Sequence, residues 1–266
     1  MQNKSRELEV AIQAALAAGK ILEKYFDTEI LKEFKEDKTP VTLADRESEE
    51  IIKKIILEEF PKHSILGEET GRTESKSDYE WYVDPVDGTR NFANGIPIFA
   101  VSVALAHKRK VIVGVVYNPT TDSLFYVEQG KGAYLNDKKI NVSKDDIPHA
   151  IVTISPNRED PEKLLLRELY YDFPKKFGHV RDLGSTALEL AYVARGGLEA
   201  NIQLGLSSYD FAAGVLLVEE AGGKITKLNG SPWKFPENEF IASNGVFHDL
   251  LVEEVQKEIK KISWSK

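Results

Sequence analysis

Four β-favouring runs crowd the stretch from Phe99 to Ile140, with only tight turns between them. Phe99–His107 and Val111–Tyr117 flank a basic turn, Lys108-Arg109-Lys110. Ser123–Glu128 and Gly132–Leu135 follow, and Asn136-Asp137 signals a hairpin before Lys138. Parallel neighbours need a crossover of a dozen or more residues, so turns this short dictate an antiparallel sheet. What precedes the sheet is helical. Leu8, Ile12, Ala15, Gly19, Leu22 and Phe26 recur in steps of four and three, an amphipathic helix whose small residues allow close packing. After Ile30–Phe34 and a polar loop, Lys35–Pro40, the segment Leu43–Phe60 predicts a second helix. Ile51, Ile52, Ile55, Ile56 and Phe60 would face inward, and Pro61 stops it.

The second half alternates instead. Strands are predicted at Ile151–Ile154, Phe177–Val180, Glu199–Leu204, Lys224–Lys227 and Phe240–Ala242. Between and after them lie helices: one capped by Asp160-Pro161 and running to Tyr171, then Ser185–Arg195, Tyr209–Ala221 and Val246–Lys260. Alternation of this kind predicts a mixed α/β half. The fold class read from the pattern is α/β (α+β), with helices on an antiparallel sheet first and a mixed half after it. Residues 1–266 are expected to form one compact unit with sub-lobes 1–146 and 147–266, since no flexible linker marks the join near Ser143–Pro148.

Composition removes several classes of function. No run of 18 apolar residues exists, so a membrane-spanning helix is excluded, and the first residues lack the apolar core of a signal peptide. There is no cysteine, hence no disulfide, thiolate metal site or cysteine nucleophile; a cytoplasmic location is the expectation. The net charge of −8 argues against general nucleic-acid binding, which needs a basic footprint. It leaves room for small phosphorylated molecules if metal ions supply the positive charge. The lysine- and glutamate-rich surface leans towards thermophily.

Chemistry concentrates in Trp81-Tyr82-Val83-Asp84-Pro85-Val86-Asp87-Gly88-Thr89. An apolar run leads into two acids on a stiff turn, where Pro85 fixes φ and Gly88 permits a conformation or a close approach. Their mutual repulsion calls for a counter-charge, and a hard divalent cation is the simplest one. A surface turn is the plain alternative. Two more acidic features stand in similar places. Glu68-Glu69 follows the short apolar run Ser64-Ile65-Leu66, and Asp210 precedes an apolar helix. Alone, Glu68-Glu69 reads as a solvated pair, and Asp210, like Asp45 near the start of the second helix, as a first-turn acid. The polar segment Gly71–Tyr79 reads as an exposed loop.

Taken together, Gly67-Glu68-Glu69, Asp84-Pro85-Val86-Asp87-Gly88-Thr89, Tyr209-Asp210-Phe211-Ala212-Ala213-Gly214 and Glu220-Ala221-Gly222-Gly223 resemble the inositol monophosphatase family. That family belongs to the lithium-sensitive, magnesium-dependent phosphatases, with fructose-1,6-bisphosphatases and 3′-phosphoadenosine-phosphate phosphatases. The resemblance implies a five-layer αβαβα sandwich, a homodimer and two to three Mg²⁺ ions. Glu68, Asp84 and the Val86 carbonyl would hold a first ion, and Asp84, Asp87 and Asp210 a second. Glu68 would share a weaker third, with Asp45 at its water shell. Glu68 and Thr89 would orient the attacking water, and the Gly88 and Thr89 N–H groups would hold phosphate oxygens. Arg181, Asp182, Gly184, Ser185 and Gln203 would face the alcohol. Asp87 and Asp210 would also border the substrate. Gln203 stands where many members have glutamate, and it donates hydrogen bonds as well as accepting them. That weakens a preference for inositol 1- (or 4-)monophosphate over fructose 1,6-bisphosphate. None of the five histidines falls in a matched motif, so all are read as structural or surface residues.

Overall fold

The computed structural model describes residues 4–28, 33–34, 40–73, 75–155 and 164–264. Ile30–Lys32, most of the Lys35–Pro40 loop and the Asp160-Pro161 cap lie outside them. Two helices come first. Helix α1 (Arg6–Tyr25) is capped by the Ser5 side chain, which accepts from Leu8 N at 3.2 Å. It buries a wider face than the four-three stripe, much of it alanine, while Ile12 is half-buried. A two-stranded ribbon, β1 (Glu33–Phe34) and β2 (Pro40–Val41), leads into α2 (Leu43–Glu59). Here the inward face differs from the isoleucine stripe. Ile52 and Ile56 are buried, but so are Asp45, Ser48 and Glu49, whereas Ile51 and Ile55 are half-buried.

The strands β3 (Ser64–Gly67), β4 (Gly71–Thr73), β5 (Tyr79–Asp87), β6 (Ala100–His107), β7 (Lys110–Asn118), β8 (Ser123–Glu128), β9 (Gly132–Leu135) and β10 (Lys138–Ile140) form one sheet. Its order is β10-β9-β8-β7-β6-β5-β3-β4. The expectation of a wholly antiparallel sheet needs one correction, because β3 runs parallel to β5. Gly71–Thr73, expected to be loop, is an exposed edge strand paired with Ile65–Gly67, and the tight turn after Gly67 makes that hairpin possible. The Asp84–Asp87 segment is likewise no free turn. It continues β5 through a register shift against β6, where Asp84 faces Ser102 and Asp87 faces Ala100. A bulge of this kind bends a strand and re-aims its side chains. The four-residue helix α3 (Thr89–Phe92) follows.

The remaining elements are β11 (Ile151–Ile154), α4 (Leu164–Asp172), β12 (His179–Arg181), α5 (Thr186–Ala194), β13 (Ala200–Leu204), α6 (Ser208–Glu220), β14 (Lys224–Thr226), β15 (Glu239–Ser243) and α7 (His248–Trp264). The second sheet has the order β12-β11-β13-β15-β14; its first three strands are parallel and the last two pairings antiparallel. Helices α1 and α2 cover one face of the first sheet, and α5 and α6 fill the space between the sheets. Helices α4 and α7 close the far face of the second. The layers are therefore α, β, α, β, α, as expected.

The middle layer must be apolar all round, and Phe211–Val218 of α6 are all buried. Helix α6 lies so close to β7 that a Cβ on Gly114 would come within 2.9 Å of the Ala213 backbone. Gly114→Val should therefore overpack the layer and cost about 1–3 kcal/mol or more, seen as a lower urea midpoint. Close packing here fixes where the first turn of α6 sits against the β5 bulge.

Candidate metal centre

Asp84 and Asp87 leave the bulge of β5 buried, at 2 % and 8 % exposure. Asp210 comes from the first turn of α6, whose start is tied to the first sheet by Ser102 Oγ donating to the Tyr209 carbonyl at 3.2 Å. One carboxylate oxygen from each of the three acids lies within 4.8 Å of the others. The first-turn reading of Asp210 also holds, because it completes a capping box by accepting from Ser207 N at 2.9 Å. Asp45 has the same double role at α2. It accepts from Thr42 N at 2.8 Å, and its other oxygen lies 3.2 Å from the Thr89 hydroxyl. That hydroxyl is also 3.0 Å from the Val86 carbonyl, and Val86 N donates to Asp84 Oδ1 at 3.0 Å.

Glu68 stands directly after β3, next to β5 because the two strands pair in parallel, and its N–H donates to the Val83 carbonyl at 3.1 Å. It lies beside the three-acid cluster, near enough for its charge to raise the Asp84 carboxyl. Gly88 adopts φ +95°, and a Cβ there would sit 3.0 Å from the Gly184 and Ile98 carbonyls. Only glycine both takes this conformation and fits between the two loops.

Burial and mutual repulsion dominate the electrostatics of the cluster. Burial, then the neighbouring Glu68, Asp87 and Asp210, push the Asp84 carboxyl well above the usual carboxylate range. Burial raises Asp87 to about 7, against the lowering effect of hydrogen bonds from Ser185 Oγ and the Ala187 and Thr186 N–H groups. Those bonds make Asp87 a cap for α5 donated from a different sheet. Burial also raises Asp45. An all-oxygen set of clustered, buried carboxyls fits a hard divalent ion, whose charge would offset their mutual repulsion.

The residues expected on the alcohol side are dispersed. Arg181 is exposed at the end of β12, its Nη1 donating to the Val180 carbonyl at 2.9 Å. Ser185 and Gln203 are each 1 % exposed; the first bonds Asp87, and the second donates to Glu189 Oε2 at 3.3 Å. Asp182 Oδ1 accepts from Gly184 N at 3.0 Å and from Ser155 Oγ at 3.1 Å. The Tyr209 ring is half-buried, and its hydroxyl is pushed up to about 12, chiefly by burial.

Three site-supporting residues escaped the sequence reading. Glu189 is fully buried, raised to about 8 by burial, and accepts from Leu183 N and the Asn201 amide, each at 2.8 Å. Asn91 ties the Leu183 and Ile98 carbonyls together through its amide. Glu49 is the third, and its helical offset of four from Asp45 was the signal available. The histidines stay outside the cluster. His248 is buried between the Thr226 and Ser243 hydroxyls and lowered to about 4, chiefly by burial, and His63 accepts from Trp81 Nε1.

The family model for the inositol monophosphatase family matches residues 3–260. The chain belongs to that family. The fructose-1,6-bisphosphatase/inositol-1-monophosphatase of Aquifex aeolicus is 38 % identical over 97 % of this chain and 98 % of its own length. The Nus factor SuhB of Pasteurella multocida is 36 % identical over 84 % of this chain and 85 % of its own. Among solved structures, the inositol monophosphatase of Anabaena matches with a TM-score of 0.85 at 36 % identity, covering 94 % of this chain and 95 % of that one. An inositol monophosphatase family member of this likeness is a phosphoric monoester hydrolase.

Proposed function

We propose that this phosphatase hydrolyses inositol 1- (or 4-)monophosphate with Mg²⁺ held by Glu68, Asp84, the Val86 carbonyl, Asp87 and Asp210. The observation that carries the reading is the three-acid cluster at the β5 bulge and the first turn of α6, with oxygens within 4.8 Å of one another. When bound, two to three Mg²⁺ ions supply charge neutralisation of the phosphate and activation of water. Asp84, whose carboxylate neighbours Glu68, Asp87 and Asp210, would contribute to holding them. Thr89 and Glu68 orient the water, and the Thr89 proton is shared between Asp45 and the Val86 carbonyl. The Gly88 and Thr89 N–H groups hold phosphate oxygens. The water oxygen forms a bond to phosphorus as the bond to the alcohol oxygen breaks, and the alcohol leaves with a proton given up by that water. Positioning and charge stabilisation carry most of such a reaction. Arg181 meets the alcohol part directly, while Ser185 and Gln203 act by fixing Asp87 and the wall behind it.

Fructose 1,6-bisphosphate is the second substrate reading, favoured by the dual name of the Aquifex relative and by Gln203. The SuhB name belongs to a relative, and a net charge of −8 disfavours direct nucleic-acid binding here. A cytoplasmic homodimer inhibited by lithium completes the proposal; sedimentation tests the dimer. Side-by-side rates on inositol 1-phosphate, fructose 1,6-bisphosphate and 3′-phosphoadenosine 5′-phosphate test the substrate. The first is expected to be fastest, and no phosphate from any of them would sink the reading.

A further inference from the structure

The buried acid of α2 that the phosphatase chemistry leaves unused is Glu49. It is fully buried and lies one helical turn after Asp45 on the same face. A buried carboxylate is costly unless hydrogen bonds satisfy it. Among the described residues, the donors Glu49 takes come from the segment that follows Glu68. Oε2 accepts from Glu69 N at 2.7 Å, Oε1 from Thr70 N at 3.0 Å, and the Thr70 hydroxyl also donates to Oε1. The residue before Glu68 is shaped to the same carboxylate, since a Cβ on Gly67 would collide with Glu49 Oε1. Glu68 is thus flanked on both sides by contacts to one buried side chain, and its own N–H is held by Val83.

We infer that Glu49 is a positioning residue that aims the Glu68 carboxylate at the Asp84 side of the metal centre. The chemistry explains the residue type. Three donors converge on it, and a carboxylate is an acceptor only. Glutamine would turn an NH₂ group towards backbone N–H groups that have no other way to point. Helix α2 then serves the reaction with two acids one turn apart, Asp45 against Thr89 and Glu49 behind Glu68. The inference rests on the metal role proposed for Glu68, so its test must separate the two.

The full-length protein, stripped of metal, is titrated with Mn²⁺ alone and free Mn²⁺ is read by electron paramagnetic resonance. Glu68→Ala is measured first, to identify the Glu68-dependent ion. Glu49→Gln should weaken that ion by about 10–100-fold, the usual cost of losing a group that orients a ligand. In the same metal-free protein the Glu69 and Thr70 amides should exchange hydrogen at least about tenfold faster. If Glu49→Gln does not fold, Thr70→Val reads the same link with a loss of about fivefold, one hydrogen bond's worth, and Thr70→Ser should restore it. Unchanged Mn²⁺ affinity in Glu49→Gln or Thr70→Val, beside a clear loss in Glu68→Ala, overturns the role of Glu49 alone. Unchanged affinity in Glu68→Ala overturns it together with the ligand assignment beneath it.

Discussion

Asp84→Asn should lower phosphate release by more than about 100-fold, and the same variant should be more stable than the wild type when metal is absent. The first half follows from its place in the cluster. Changing groups that only orient metal ligands costs about 10–100-fold, and loss of a carboxylate proposed to be a ligand itself should exceed that. The second half follows from electrostatics. Asp84 is buried at 2 % exposure among Glu68, Asp87 and Asp210, each of which pushes its carboxyl towards the neutral form. Asparagine is neutral, fits the same volume and can still accept from Val86 N through its amide oxygen. At this chain size about 1 kcal/mol moves a melting temperature by roughly 2–4 °C, so a rise of several degrees in chelator is expected. Activity and stability would then move in opposite directions, as at other sites where function requires strain. A variant that loses activity and stability together would indicate simple misfolding.

The metal-free protein should become less stable as pH rises from about 5 to about 8, and Mg²⁺ should recover part of the loss. The sign follows from linkage. Asp87 is raised to about 7 and Glu189 to about 8 in the folded chain, both chiefly by burial. A carboxyl raised on folding binds its proton more tightly in the native state than in the unfolded one. Its contribution is complete below the unfolded value near 4 and is lost as pH rises through the folded value. A metal ion held by Asp87, as proposed, would replace its proton, so Mg²⁺ at about 100 times its Kd should return roughly 2.7 kcal/mol at pH 8. Glu189 is raised chiefly by its own burial and only secondarily by Asp87, and it is held by backbone and amide donors, so most of its share of the slope should persist in Mg²⁺. Melting scans at pH 5, 6.5 and 8, with chelator and with Mg²⁺, separate the two. Melting temperatures that rise with pH in chelator would contradict the assignment.

The two halves were legible because they depend on turn length and periodicity, which the residues from Phe99 to Ile140 and the alternating second half display openly, whereas the five-layer order came with the family resemblance. The direction of β3 was not legible. Whether Ser64–Gly67 lies parallel or antiparallel to Trp81–Val83 is decided by where α2 delivers the chain, a tertiary matter. The acids at Asp84, Asp87 and Asp210 stood out through rigid neighbours and helix position, but their convergence depends on a β-bulge that Asp-Pro-Val-Asp does not announce. Asp45 and Asp210 teach a further point. Each is a capping-box residue and also faces the site, so the structural and functional explanations were never exclusive. Glu49 and Glu189 were hidden for another reason. Charged side chains in a helix read as solvent-facing, and only the contacts of the folded chain reveal that both are buried.

If this acid cluster holds the ions on which hydrolysis depends, phosphate release from inositol 1-phosphate by metal-free protein should follow added Mg²⁺, with wild type and Asp84→Asn measured together. Saturable, Mg²⁺-dependent release by the wild type, with more than about 100-fold less from Asp84→Asn, is the predicted result. Release that needs no divalent ion, or that Asp84→Asn supports as well as the wild type, would contradict it.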